Sequence, residues 1–202
     1  MRLGILGGTF DPPHLGHLVV AQEACRRIPL DRVLFVPASV PPHKLDAVDT
    51  PARLRLEMVR AAIEGDDRFE ACALELERDG PSYTVDTLRE LSAREPDAEL
   101  FLLLGADQFR ELSTWREPAA IAELATLVLI PRGEHDAERL IADARATLPA
   151  HARLAILDSP RIDVSSTEIR RRKAAGEPIG QLVPASVERL IEEAGLYRGD
   201  ER

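Results

Sequence analysis

The chain has 202 residues, of which 45% are hydrophobic and 30% charged, values that suit one soluble α/β domain with room for a small appendage. No apolar run approaches the roughly 20 residues that span a bilayer, and the N-terminus, with Gly4, Gly7 and Gly8 in its first apolar stretch, lacks a signal-peptide layout. A cytoplasmic protein with no membrane partner is therefore expected. The formal charge of −9 argues against nucleic acid as a partner and requires any bound polyanion to be held by a focused site.

In chain order, residues 3–6 read as a short buried strand, 15–27 as a helix and 32–36 as a second strand. Residues 37–49, with three prolines, form a loop, and Thr50 is positioned to cap a helix that runs to about residue 63 with Pro51 at its first position. Alternation over 69–76 predicts a strand, followed by a helix over about 84–94 and apolar strands at 100–104 and 126–130. A helix over 137–147 and a strand over 153–157 complete the alternating part. Short apolar strands alternating with helices indicate an α/β, Rossmann-like doubly wound parallel sheet, whose ligands bind beyond the carboxyl ends of the strands. The tail reads as helix 166–174, a turn at 176–178 and helix from 184 to about 194, a small helical appendage on the same domain. Cys25 and Cys72, the only cysteines, read as packing residues and offer no disulfide framework or zinc motif.

The richest segment is Gly7-Gly8-Thr9-Phe10-Asp11-Pro12-Pro13-His14-Leu15-Gly16-His17. It follows the first strand and enters a helix, where backbone N–H groups face an anion. The glycines allow close approach of a ligand. His14 and His17, three apart at the helix start, project from one face and with the helix N-terminus make an electropositive cradle for polyphosphate.

Further along, Lys44 is one of only two lysines, Lys44 and Lys173, and sits in the proline-rich loop after the second strand, either solvated or as an anion-binding ammonium. Ser165-Ser166-Thr167, then Glu168 and Arg170, open the helix at 166 as an ordinary N-cap or as an anion site. Thr84, after the turn at 80–83, caps a helix or offers a hydroxyl. Trp115, the only Trp, packs in the core or presents a flat face for stacking on a cationic ring. Asp107 after Gly105 caps the next helix or binds a ribose hydroxyl. His43, His135 and His151 read as loop residues without metal-ligand spacing.

GGTFDPPHLGH resembles the (T/H)xGH signature of the nucleotidyltransferase superfamily. With Pro41-Pro42-His43-Lys44, Pro81-Ser82-Tyr83-Thr84, Gly105-Ala106-Asp107, Trp115 and Val164 to Arg170, the resemblance extends over almost the whole chain to bacterial nicotinate-nucleotide adenylyltransferases. That resemblance implies transfer of AMP from ATP to nicotinate mononucleotide, giving deamido-NAD and pyrophosphate, with Mg²⁺ carried mainly by the ATP phosphates. It implies catalytic roles for His14, His17, Lys44 and Arg170. It implies an ATP site lined by Gly7, Gly8, Thr9, Phe10, His14, His17, Gly105, Asp107, Arg132, Ser165, Ser166, Thr167 and Arg170, completed by the helical part from about 160 onward. It implies a mononucleotide site at Ser39, Lys44, Tyr83, Thr84, Asp107 and Trp115. The family commonly has Asn just before the Pro-Pro-His-Lys run; Ala38 and Ser39 stand there, so Ser39 or the backbone would supply that contact. The rivals are a pantetheine-phosphate adenylyltransferase or a cytidylyltransferase, disfavoured by the Pro-Ser-Tyr-Thr turn, the single Trp and the chain length, and a silent nucleotide-binding regulator, disfavoured by the intact histidines and Arg170. The oligomeric state stays open, a homodimer being one option.

Overall fold

Six short apolar strands pair side by side, every pairing parallel: β1 (Arg2–Gly8), β2 (Arg32–Pro37), β3 (Phe69–Ala71), β4 (Glu99–Gly105), β5 (Ala125–Ile130) and β6 (Leu154–Ile156), in the order β3-β2-β1-β4-β5-β6. The computed structural model describes residues 1–40, 50–131, 134–160 and 163–199, and of residues 134–136 the backbone alone. The helices are α1 (Leu15–Arg27), α2 (Ala52–Ile63), α3 (Thr84–Arg94), α4 (Ala106–Glu111), α5 (Pro118–Leu124), α6 (Glu134–Thr147), α7 (Ser166–Ala174) and α8 (Ala185–Glu193). None of these is long and apolar enough to cross a membrane among the described residues.

Successive strand residues face opposite sides, so the sheet is buried twice. Leu3, Ile5, Leu34, Leu102, Leu104 and Leu127 pack with Val85 and Leu88 of α3, Ile121 of α5 and Leu140 of α6. On the other side Leu6, Val33, Phe35, Leu103 and Val128 pack with Ala21 and Ala24 of α1, Met58 and Val59 of α2, and Ile169, Val187 and Ile191 of the tail. The Ser186 hydroxyl also donates to the Ala61 carbonyl at 2.7 Å, tying α8 to α2. The tail helices thus share a core with the strands that carry the first motif.

Several elements differ from the sequence expectation. The strand expected over 69–76 stops at Ala71, because its partner β2 pairs only as far as Phe35 opposite Ala71. The chain then turns, with Leu76 N–H donating to the Ala73 carbonyl, and the alternation persists because Leu74 enters the core. Thr50 does not cap α2: Pro51 is the N-cap residue and the Thr50 hydroxyl donates to Tyr197 Oη at 3.4 Å instead. α4, a 3-10 turn at Leu112–Thr114 and α5 were not foreseen, each being too short to show a full helical period. Glu117 enters α5 with φ +52°, and Pro118 takes the first helical position.

The strand order reverses between β1 and β4. Their pairing ends at Ile5 opposite Leu102, before either strand ends, so Leu6–Gly8 and Leu103–Gly105 part at the carboxyl edge. That crevice is where a doubly wound sheet takes its ligand.

Candidate active site

Gly7 and Gly8 line one wall of the crevice for different reasons. A Cβ on Gly7 would meet nothing within 4 Å, whereas one on Gly8 would sit 3.1 Å from the Phe10 ring. Phe10 is buried, has φ +51°, and packs edge-on to His17 with ring centroids 4.9 Å apart. Its ring therefore packs between Gly8 and His17. The Asp11–Pro12 peptide bond is cis.

His14 is the N-cap residue of α1, and its backbone N–H donates to His17 Nδ1 at 3.2 Å. The two rings stack with centroids 3.7 Å apart and 22° between planes. Because His17 Nδ1 accepts, the neutral His17 ring carries its proton on Nε2 and presents a donor there. His14 Nδ1 is buried without a hydrogen-bond partner among the described residues. Burial lowers the His14 pKa to about 4, and burial, reinforced by His14, lowers that of His17 well below 6.5. Before any anion arrives both imidazoles are neutral at pH 7, so the positive charge expected from the sequence is not carried by the rings themselves. The helix N-terminus supplies it.

The segment between Gly8 and His14 is held from outside. The Thr9 carbonyl accepts from Arg55 Nη1 at 2.7 Å, the Asp11 carbonyl from Arg170 Nη1 at 2.7 Å, and the Pro12 carbonyl from the Ser166 hydroxyl at 2.8 Å. The Asp11 carboxylate, 3% exposed, accepts from the Tyr197 hydroxyl and lies 3.9 Å from Arg170 Nη1. Arg55, 1% exposed, also donates to the carbonyls of Thr50 and Ser39, and so ties together both flanks of the Lys44 segment. Burial lowers its pKa, opposed by the Asp11 charge, yet its carbonyl partners and that carboxylate keep the guanidinium ionised. Lys44, His43 and Arg132 themselves lie outside the described residues.

At α7, Ser165 is the N-cap residue and accepts from the Glu168 N–H at 3.2 Å, while Ser166 reaches the motif and Thr167 is exposed. On the other flank, Ser39 and Val40 N–H groups donate to the Ser82 hydroxyl oxygen at 2.9 and 3.4 Å. Ser82 in turn hydrogen-bonds Glu75, which also accepts from the Thr87 hydroxyl at 2.7 Å, and burial raises the Glu75 pKa. Thr84 is the first residue of α3, with Tyr83 as N-cap residue and no side-chain cap, so capping is not its role. Tyr83 has the Arg116 guanidinium 4.7 Å from its ring centroid. Trp115 packs half-buried on the α3 side of the core with its indole Nε1 buried and unpartnered among the described residues. Gly105, not Asp107, is the N-cap residue of α4; Asp107 sits in its first turn, 3.1 Å from Arg110, so the capping role expected for it does not hold. Among the described residues, no three His, Cys, Asp or Glu side chains are grouped to hold a metal ion.

A sequence profile of the cytidylyltransferase-like family matches residues 5–172. A relative from Thermus thermophilus, named probable nicotinate-nucleotide adenylyltransferase, is 47% identical over 98% of this chain and 100% of its own. One of the same name from Exiguobacterium sibiricum is 42% identical over 98% and 99%. The chain belongs to the nicotinate-nucleotide adenylyltransferase family. It is thus an enzyme of the nucleotidyltransferase class. The solved structure of a Plasmodium falciparum nicotinic acid mononucleotide adenylyltransferase complexed with NaAD shares the fold, with a TM-score of 0.78 at 18% identity over 97% of both chains.

Within this adenylyltransferase fold, the residues expected at the ATP site, Gly7 to Phe10, His14, His17, Ser166 and Arg170, come together around one loop. Tyr83, Thr84 and Ser39 are linked instead through Ser82, at the neighbouring strand end. Arg55, Glu75, Ser82 and Tyr197 escaped sequence reasoning. Ser82 stands in the Pro-Ser-Tyr-Thr run, but Arg55, between Arg53 and Glu57, and Glu75, two before Glu77, carry no local signal that sets them apart.

Proposed function

We propose that this enzyme transfers AMP from MgATP to nicotinate mononucleotide, forming deamido-NAD and pyrophosphate in NAD biosynthesis, in the cytoplasm. The observation that carries this is the match along the full length of the chain to nicotinate-nucleotide adenylyltransferases. A 5′-phosphate oxygen of the mononucleotide attacks the α-phosphorus in line, and the bond from that phosphorus to the oxygen bridging to the β-phosphate breaks. Its electron pair leaves with pyrophosphate. The attacking phosphate is already an anion, so neither a general base nor a covalent enzyme intermediate is needed, and the protein contributes position and charge stabilisation.

His17 Nε2–H and His14 contact the α-phosphate and the departing oxygen. Arg170 and the Ser165–Thr167 turn hold the outer phosphates, and the tail from about residue 160 completes the ATP site. Gly105 and Asp107 approach the ribose and Arg132 the adenine. Lys44 neutralises charge as the two anions approach. Tyr83, Thr84 and Trp115 receive the nicotinate ring and its carboxylate, the Trp face stacking on the cationic pyridine. Mg²⁺ would be carried mainly by the ATP phosphates, where it would offset their charge.

The test is pyrophosphate release with MgATP and, in parallel, nicotinate mononucleotide, nicotinamide mononucleotide or phosphopantetheine. Preference for the nicotinate compound is expected, and release only with phosphopantetheine would discard the substrate assignment. In the same assay His17→Ala should lower kcat by at least about a hundredfold, the scale of removing one transition-state donor. Unchanged turnover would remove His17 from the chemistry.

A further inference from the structure

Among the described residues, the loop from Thr9 to Pro12 is attached outward through side chains distant in sequence. Arg55 takes the Thr9 carbonyl, Arg170 the Asp11 carbonyl and Ser166 the Pro12 carbonyl. These three hold backbone. The fourth attachment is different in kind: the Tyr197 hydroxyl donates to the carboxylate of Asp11, 186 positions away, while itself accepting from Thr50.

Three features make Tyr197 more than packing. Its backbone has φ +57°, a left-handed conformation that is costly for a side chain of this size, so the surrounding structure pays to aim it inward. Its partner is a buried carboxylate, for which a lost donor leaves charge poorly satisfied. And the same carboxylate lies 3.9 Å from Arg170, whose guanidinium also grips the Asp11 carbonyl. With the tyrosine donor in place, Asp11 has an independent partner, and Arg170 need not turn from the crevice to neutralise it. Phe10, strained at φ +51°, immediately precedes Asp11, and His14 follows three residues later, so the position of Asp11 sets both the support under the histidines and the histidines themselves.

We propose that Tyr197 is a positioning residue for the ATP subsite: through the Asp11 carboxylate it fixes the Thr9–Pro12 loop and leaves Arg170 directed at the polyphosphate. This rests on the assignment of the crevice to ATP made above. It acts on ATP and not on the mononucleotide, because Asp11, Arg170 and Ser166 belong to the polyphosphate side while the Ser82 link belongs to the other.

The variant Tyr197→Phe keeps the ring and removes the hydroxyl alone. Calorimetric titration of wild type and variant with MgATP, and separately with nicotinate mononucleotide, reads the two subsites without turnover. ATP should bind about tenfold more weakly to the variant, with the mononucleotide affinity within about twofold of wild type. Equal weakening of both ligands with a lowered unfolding midpoint, or unchanged ATP affinity, would overturn the proposal. Should the variant not fold, hydrogen exchange on the wild-type protein decides: MgATP should slow exchange of amides around residues 196–198, and unchanged exchange there would overturn it. If wild type binds ATP yet releases no pyrophosphate with nicotinate mononucleotide, the substrate assignment fails while the ATP comparison still stands.

Discussion

His14 and His17 are both buried, stacked and neutral, and each would gain a proton on unfolding. The unfolded chain takes up a proton at His14 near pH 6.5, whereas the folded chain does so only near 4, so acid favours unfolding across that window. His14 alone should cost about 2 kcal/mol of stability between pH 7 and pH 5. Glu75 works in the opposite sense, since burial raises its pKa and the folded state gains as it is protonated. Urea unfolding of wild type and His14→Gln at the two pH values isolates the imidazole, and the variant should show the flatter profile. A polyphosphate beside the rings reverses the balance, because an adjacent anion favours the protonated form. The stacking disfavours two charges on rings 3.7 Å apart, so MgATP binding at pH 6.5 should take up about one proton and not two. Titrations in two buffers of different ionisation enthalpy measure it, and equal heats would mean the imidazoles stay neutral in the complex.

At the scale of elements, what the sequence showed and what it hid divide by how local the cause is. α1 and α7 begin and end where their sequence patterns put them, because Ser165 caps α7 and the bond from the His14 N–H to His17 Nδ1 opens α1 locally. The strand expected at 69–76 was cut short by its neighbour β2, a tertiary event. Thr50, Thr84 and Asp107 look like helix caps in sequence, yet none caps, and the Thr50 hydroxyl is claimed by a tyrosine 147 positions on. The loop at 7–17 was legible because its glycines and histidines are close in sequence. The residues that hold it, Arg55 and Tyr197, were not, because their partners are backbone carbonyls and a carboxylate brought together only by the fold. Ser82 is the comparable pin on the other strand end. Ser82→Ala strips Ser39 and Val40 of their shared acceptor, so KM for nicotinate mononucleotide should rise several-fold, by about 1 kcal/mol of lost anchoring, with KM for ATP little changed. Steady-state kinetics with each substrate varied in turn decide it, and a rise in the ATP KM alone would assign the pin to the wrong subsite.

For the whole molecule, the tail packs on the same side of the sheet as α1 and α2, whereas Trp115 lies on the opposite side. If the chain is a single cooperative unit, as the shared core implies, a cavity in α8 must be felt at Trp115. Ile191 is fully buried, and Ile191→Ala should cost about 2–5 kcal/mol. Trp115 fluorescence should follow one transition in urea, coincident with circular dichroism at a lower midpoint. A tryptophan transition left at the wild-type midpoint would show the tail to be a separate folding unit.

The attachment of Asp11 to Tyr197 also has a meaning in time. The strands β1 and β2 and the glycine turn are synthesised early, and Arg55 soon after, but three of the loop's four partners arrive 154, 159 and 186 residues on, at Ser166, Arg170 and Tyr197. Contacts of such long sequence separation form late in folding, after the chain between them has been ordered. The strands can therefore pair before the loop is held, and an ordered loop at 9–12 reports that residues 166–197 have already docked on it.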